Sequence, residues 1–200
     1  MLRSPVLSRI STFLLLTLLL LIPCSKSLDA QSDPTASKEA AISLFATYSR
    51  VSTDRNSTIN NGLTVGADYT RYLNWILTPS LEVRCKFAPG DNVGEDTFGG
   101  GLRVEHRLKN FSPYADFFGS YGRITFTHPS LLGPGPPYRF DNSIVYSAGF
   151  GVDYHITSKW AARVDYQFEH WNVGMNSTFT PHIFSVGFLY RIPFRPYVTY

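Results

Sequence analysis

The side chains able to do chemistry in this chain form two sets: scattered imidazoles and a regularly spaced array of opposite charges. The imidazoles are His106, His128, His155, His170 and His182. No two of them have the spacing of a helical metal site, and Cys85 adds no ligand pair. Glu169 and His170 form an adventitious pair at the base of a loop, so no zinc or iron centre is expected. A nucleophile and its base must lie within hydrogen-bond reach. His182 and Ser185 are three residues apart, which in a strand sends them to opposite faces. Gly99-Gly100-Gly101 lacks the lysine and helix of a phosphate loop; it reads as room for neighbouring aromatic rings. No enzyme and no cofactor are expected. The charged array is different. Glu82, Arg84 and Lys86 lie two apart, as do Arg103, Glu105 and Arg107, while Asp153, Arg163 and Asp165 join them on similar segments. Spacing by two puts each group on one face of a strand. Asp68, Asp116 and Glu169 share that face. The balance of signs predicts a network of ion pairs, because unpaired charges in an enclosed space are very costly.

The elements that hold this array show period-two alternation from end to end. In residues 75–87, Leu77, Pro79, Leu81, Val83, Cys85 and Phe87 alternate with Thr78, Ser80, Glu82, Arg84 and Lys86. Similar patterns cover 40–50, 62–72, 97–108, 113–126, 143–155, 159–170 and 183–192. That makes eight segments of the length a tilted strand needs to cross a bilayer. The expected connections alternate in length. Tyr72–Trp75, Leu108–Pro113 and His155–Lys159 are short, while 51–61, 88–96, 127–142 and 171–181 are longer. The expectation is an all-β, eight-stranded antiparallel up-and-down transmembrane β-barrel with short turns on one side and long loops on the other. Tyr72, Trp75, Tyr114, Tyr154 and Trp160 flank the short turns and are expected to form an aromatic girdle at the lipid–water boundary.

Composition points the same way. Aromatic residues make up 15% of the chain and charged residues only 16%, against about a quarter charged in soluble domains. Arg3 and Arg9 precede the apolar run 13–22, the layout of a signal peptide over residues 1–30, with cleavage after Ala30. A lipoprotein acylated at Cys24 is the alternative. Removing Arg3, Arg9, Lys26 and Asp29 leaves a nearly neutral chain. That balance, with no basic binding motif, excludes nucleic acid as a partner. Residues 31–38 read as a disordered lead-in, 39–192 as the barrel and 193–200 as a short tail. A lone Cys85 makes no internal disulfide, so a closed barrel must supply the stability of an exported domain.

Gly149–Tyr166 resembles the sixth-to-seventh-strand hairpin of small OmpA-like and OmpX-like outer-membrane barrels, and Ser185–Ile192 resembles their closing strand. The resemblance spans residues 38–192 and implies a porin-like barrel of the bacterial cell envelope, located in the outer membrane. It implies contact with outer-membrane lipid and a strand signal for the barrel-assembly machinery in Gly187, Phe188 and Tyr190. The family strand ends on Phe where Ile192 stands here. The expected role is that of a monomeric structural or surface barrel whose lumen is closed by the polar network. The alternatives are a narrow diffusion channel, an adhesin whose loops bind an unidentified extracellular ligand, and a soluble lipocalin-like barrel.

Overall fold

Each strand of the computed structural model is amphipathic across its two faces, and this decides the architecture. The structure describes residues 40–53, 59–73, 75–130, 138–173 and 177–194. The signal peptide, the lead-in and Cys24 lie outside them. The described strands are β1 (Ala40–Ser52), β2 (Ile59–Arg71), β3 (Leu77–Ala88), β4 (Val93–His106), β5 (Phe111–Ser130), β6 (Tyr138–His155), β7 (Trp160–Val173), β8 (Ser177–Phe179) and β9 (His182–Phe194). Each pairs antiparallel with its neighbour in sequence from β1 to β7. β7 then pairs with β9, and β9 pairs with β1 through Ala40↔Phe194 to Ser52↔His182, which closes the barrel.

β8 and β9 together form the eighth stave. Both pair with β7, and the break between them falls at Thr180-Pro181. Proline has no N–H to give the ladder, but its carbonyl still accepts from Glu169 N at 3.0 Å. The stave is therefore notched without losing register. Eight strands enclose only enough interior for their own side chains.

The burial pattern is inverted relative to a soluble sheet. Leu44, Leu81, Val83, Phe98, Leu102, Phe117, Phe150 and Phe188 are exposed, while Asp68, Glu82, Arg103, Glu105, Asp153 and Arg163 are almost fully enclosed. No helix among the described residues is long and apolar enough to cross a membrane; the crossing elements are strands of twelve residues or more. About ten suffice for a tilted crossing. A second set of exposed rings, Tyr48, Tyr121 and Tyr146, lies nearer the loop end. Above it the outward positions turn polar at Arg50, Asn61, Asp96, Arg123, Asn142 and His170.

Connections at the turn end are tight. Ile156 N and Thr157 N both donate to Trp160 O, and the Thr157 hydroxyl accepts from Trp160 N at 3.0 Å. Several expected bounds need correction: β1 runs to Ser52 and β2 begins at Ile59 within the expected 51–61 connection, and β7 runs to Val173 with β8 at Ser177–Phe179 within the expected 171–181 connection. The 88–96 connection shrinks to residues 89–92, because β4 begins at Val93. Val93, Glu95 and Thr97 point inward and Gly94, Asp96 and Phe98 outward, so a stretch whose composition suggests a loop is strand with a polar inner face. The 127–142 connection likewise shrinks. β5 runs to Ser130 and β6 starts at Tyr138, with a register shift between Thr125 and Ser130; the intervening tip lies outside the described residues. β9 continues past Ile192 to Phe194, whose ring packs near Tyr69 at 6.2 Å; residues 195–200 lie outside the described residues.

A charge placed on the outward face at mid-strand tests this orientation. Val83→Arg is expected to lower unfolding stability in lipid vesicles by about 2–4 kcal/mol, read as a shift of the denaturant midpoint. An effect under about 0.5 kcal/mol would place Val83 outside hydrocarbon.

Candidate functional site

The lumen is filled in three tiers. Nearest the turns, Arg163 grips Asp153 with two bonds, Nε to Oδ1 at 2.9 Å and Nη2 to Oδ2 at 3.1 Å. Arg103 donates to the same carboxylate, and its Nη2 reaches Glu105 at 3.3 Å. Both arginines also approach Asp68, at 3.5 and 3.7 Å. The planar guanidinium fork suits such shared carboxylates, which an ammonium cannot match in geometry.

The middle tier centres on Arg84. Its Nε donates to Glu82 at 2.9 Å, Nη2 to Asp116 at 3.3 Å and Nη1 to Asp165 at 3.4 Å. Gln167 Nε2 links Asp116 and Asp165 at 2.8 and 3.1 Å, and the Tyr114 hydroxyl donates to Asp165 at 2.9 Å. Glu82 joins the two tiers, since Arg163 Nη1 reaches its second oxygen at 3.4 Å. The guanidinium faces are stacked as well: Arg84 lies 4.0 Å from the Phe118 ring centre, Arg103 3.8 Å from Tyr114 and Arg163 4.4 Å from Phe45. Cation–π contact of this kind strengthens when desolvated.

The upper tier is Lys86, bonded to Glu169 at 2.7 Å and facing Glu95 at 3.6 Å. Trp171 Nε1 donates to the same Glu169 oxygen at 2.8 Å. Above it the lumen turns apolar. Val93, Ile124, Val145, Trp171, Val173 and Phe179 form one buried cluster, and Val51, Ala88 and Ile183 another. The indole sits over Gly122, where any Cβ would collide with its ring. On the β1 side, hydroxyls complete the filling through Ser43 to Asp68 and the chain Thr64–Ser49–Ser185. A lumen cavity of about 20 Å³ remains between Arg84, Lys86, Ser120 and Ser185, room for roughly one water.

Among the residues expected in the network, Glu82, Arg84, Lys86, Arg103, Glu105, Asp153, Arg163 and Asp165 meet in these tiers. Arg107 stands apart at the rim, 44% exposed, with its Nε 3.7 Å from Glu105 and its guanidinium over Tyr72. Two girdle assignments need correction. Tyr114 is 4% exposed and belongs to the lumen, because it shares the even phase of Asp116 and Phe118. Tyr72 continues the inward phase of Asp68 and Thr70, and its hydroxyl is enclosed. Trp75, Tyr154 and Trp160 are exposed. Trp160 packs on Tyr190 at 4.9 Å and Phe111 on Tyr154 at 5.0 Å. Gly187, Phe188 and Tyr190 lie together in β9, with Phe188 outward.

Glu95, Gln167, Phe45, Phe118 and the apolar cap were not singled out from the sequence. Strict phase counting finds all of them: Gln167 sits between Asp165 and Glu169, and Glu95 lies ten residues before Glu105. His182 is outward with its Nδ1 3.2 Å from the Tyr166 hydroxyl, while Ser185 is buried against Ser49. His170 is exposed and Glu169 buried. Neither pair converges, and no cluster of three or more metal-ligand side chains occurs among the described residues.

Truncating a central cation should be costly. Arg163→Met takes from Asp153 its two-bond partner and from Glu82 one of its partners, with an expected loss of about 3–5 kcal/mol, whereas Arg107→Met at the rim should cost about 1 kcal/mol or less. Equilibrium unfolding in lipid vesicles reads both. Equal losses would contradict the tiered arrangement.

The family described as outer membrane protein beta-barrel domain matches residues 14–191. No curated protein sequence matches the chain. Among solved structures, Neisserial surface protein A is 15% identical at TM-score 0.50, covering 76% of this chain and 96% of that one. A major outer membrane protein from Thermus thermophilus is 11% identical at TM-score 0.50, covering 76% and 99%. The attachment invasion locus protein of Yersinia pestis is 16% identical at TM-score 0.49, covering 78% and 100%. At such identities, the first two likenesses speak for the fold alone. The family match spans most of the chain, and the fold carries its apolar side chains outward and its charges within. The chain therefore belongs to the outer membrane protein beta-barrel domain family and is an integral outer-membrane protein.

Proposed function

We propose that the protein is a sealed, non-catalytic barrel that serves as a structural element of the outer membrane and presents hairpins at the cell surface. The observation that carries this reading is the filled lumen. Among the described residues, three tiers of ion pairs and an apolar cap occupy the lumen, and the cavity of about 20 Å³ between Arg84 and Ser185 has room for roughly one water. A diffusion path would require the Glu82–Arg84–Asp165 contacts and the Trp171 cap to part together. The outward and inward placement of His182 and Ser185 speaks against ester hydrolysis at that pair. On this reading the barrel acts as a monomer and inserts through the barrel-assembly machinery, with the outward Phe188 and Tyr190 of β9 as the strand signal.

A second reading, surface binding, is favoured by one feature. β5 and β6 are the longest strands, at 20 and 18 residues, and pair with each other beyond the point where β4 and β7 stop. The projecting hairpin carries exposed Phe140 with the Arg123 guanidinium 4.6 Å from its ring centre.

Planar-bilayer recording separates a sealed barrel from a channel. The wild type is expected to give no discrete steps under an applied voltage. Removing the middle tier and the cap together, as Arg84→Ala with Trp171→Ala, is expected to produce them. Regular steps from the wild type would overturn the sealed reading.

A further inference from the structure

At the turn end of the lumen, beyond the Asp153 tier, a ring of donors is left without acceptors. The inward phase of four alternate staves ends there. Tyr72 follows β2, Arg107 follows β4, His155 closes β6, and Arg191 lies near the end of β9. The backbone fixes Arg191 at this level, since its N–H donates to Lys159 O at 2.7 Å in the β6–β7 turn. Arg191 is only 9% exposed, yet its Nε has no hydrogen-bond partner. Among the described residues, no carboxylate forms an ion pair with it.

The enclosed Tyr72 hydroxyl also lacks a partner. The Arg107 guanidinium lies 4.3 Å from the Tyr72 ring centre, and its Nε is 3.7 Å from Glu105. His155 Nε2 is bonded to the Ser112 hydroxyl at 2.8 Å. The fields of Arg191 and Arg107 reach both the Tyr72 hydroxyl and the His155 ring, so the four side chains share one vestibule. The neighbouring carboxylates are already engaged. Glu105 and Asp153 accept from Arg103, Asp153 also from Arg163, and Asp68 is shared by both arginines. Four guanidiniums thus meet Asp68, Glu105 and Asp153 at this end, while Glu82 is shared with Arg84. The exposed charges of the described turns add no acid: Arg71, Lys109 and Lys159 are all basic.

A buried guanidinium without a carboxylate is costly, and so is an enclosed donor without an acceptor. An anion with several oxygens relieves both. We propose that this vestibule binds the phosphate group of a water-borne solute, with Arg191 and Arg107 as forks and the Tyr72 hydroxyl as a third donor. A phosphate offers oxygens in four directions, which suits donors arriving from alternate walls, whereas a carboxylate offers two in one plane. The bonds are charge-assisted, the stronger kind. The Arg103–Asp153–Arg163 tier lies above the vestibule, so the ligand enters from the side of the short turns, which is periplasmic in outer-membrane barrels. The donors face the lumen rather than hydrocarbon. The site lies outside the tiers, so it stands whether or not the barrel conducts.

The test is a titration of inorganic phosphate into the refolded full-length protein at constant ionic strength, read by phosphorus NMR line broadening. Maltoside micelles are used because they carry no phosphate. Saturable binding is expected, with acetate at least about tenfold weaker, the scale of one charge-assisted bond. Arg191→Gln should weaken phosphate about tenfold or more, and Tyr72→Phe, which removes only a hydroxyl, about threefold. Lys109→Gln with Lys159→Gln removes exposed turn charges outside the vestibule and should leave binding unchanged. Absence of saturation would overturn the proposal. So would a loss in the lysine pair equal to that in Arg191→Gln, which would mark diffuse surface charge. Doping the micelles with phosphatidylglycerol separates the two sources of phosphate: displacement of inorganic phosphate by the lipid would contradict a water-borne ligand. Each variant is first checked for heat-modifiable gel mobility. If Arg191→Gln does not fold, Arg107→Gln at the exposed rim and Tyr72→Phe decide the matter, and unchanged binding in both would sink it. A wild type lacking that mobility would indicate failure of the barrel itself rather than of the vestibule.

Discussion

Guanidinium groups locked between carboxylates, out of reach of bulk water, are the constraint on which the remaining structure depends. Arg84, Arg103 and Arg163 come from β3, β4 and β7, and their partners Asp68, Asp116 and Asp153 come from β2, β5 and β6. The network therefore ties opposite walls as well as neighbouring strands. A buried ion pair is not in itself strong evidence of stability, since desolvation can outweigh the attraction. Its force here lies in specificity. A strand slipped by one residue would turn its charges into lipid and its phenylalanines into the lumen. Such an arrangement has no paired alternative, so the charges fix the register of the staves that carry them inward, β2 to β7.

The same constraint explains the outer surface. Once the polar side chains are committed to the interior, the alternate positions must satisfy hydrocarbon, and backbone groups must be satisfied by closure, because no water is available to them. The pairing of β9 with β1 removes the last free edge. Aromatic rings then mark both boundaries, with Trp160, Tyr190 and Tyr154 toward the turns and Tyr48, Tyr121 and Tyr146 toward the loops. The apolar cap around Trp171 lies where the strands rise past this upper boundary. It is a small hydrophobic core of the ordinary kind, placed on top of a polar one.

Much of this is legible in the residues because period-two alternation has one physical cause along the whole chain. Leu81 and Val83 against Glu82 and Arg84 give the inner and outer faces of β3 without any structural information. Sequence reasoning fails where a second signal overrides the phase. Aromatics gather near turns, which suggests boundary rings at Tyr114 and Tyr72, although their even phase puts both inside. Gly, Glu and Asp favour loops in water, which suggests a loop over Val93–Asp96; Glu95 instead faces the polar lumen, while Gly94 and Asp96 point outward at the level where the outer surface is polar. The way one arginine serves three carboxylates cannot be read from spacing. It depends on the shear that brings β3, β5 and β7 to one level.

The most direct measurement is gel mobility of the membrane fraction with and without boiling in detergent. A closed barrel with lipid-facing side chains and an interior held by ion pairs resists detergent at room temperature and unfolds on heating, so two distinct mobilities are expected for one chain. A single mobility, unchanged by boiling, would contradict the claim that the charged interior and apolar exterior form one membrane-embedded barrel.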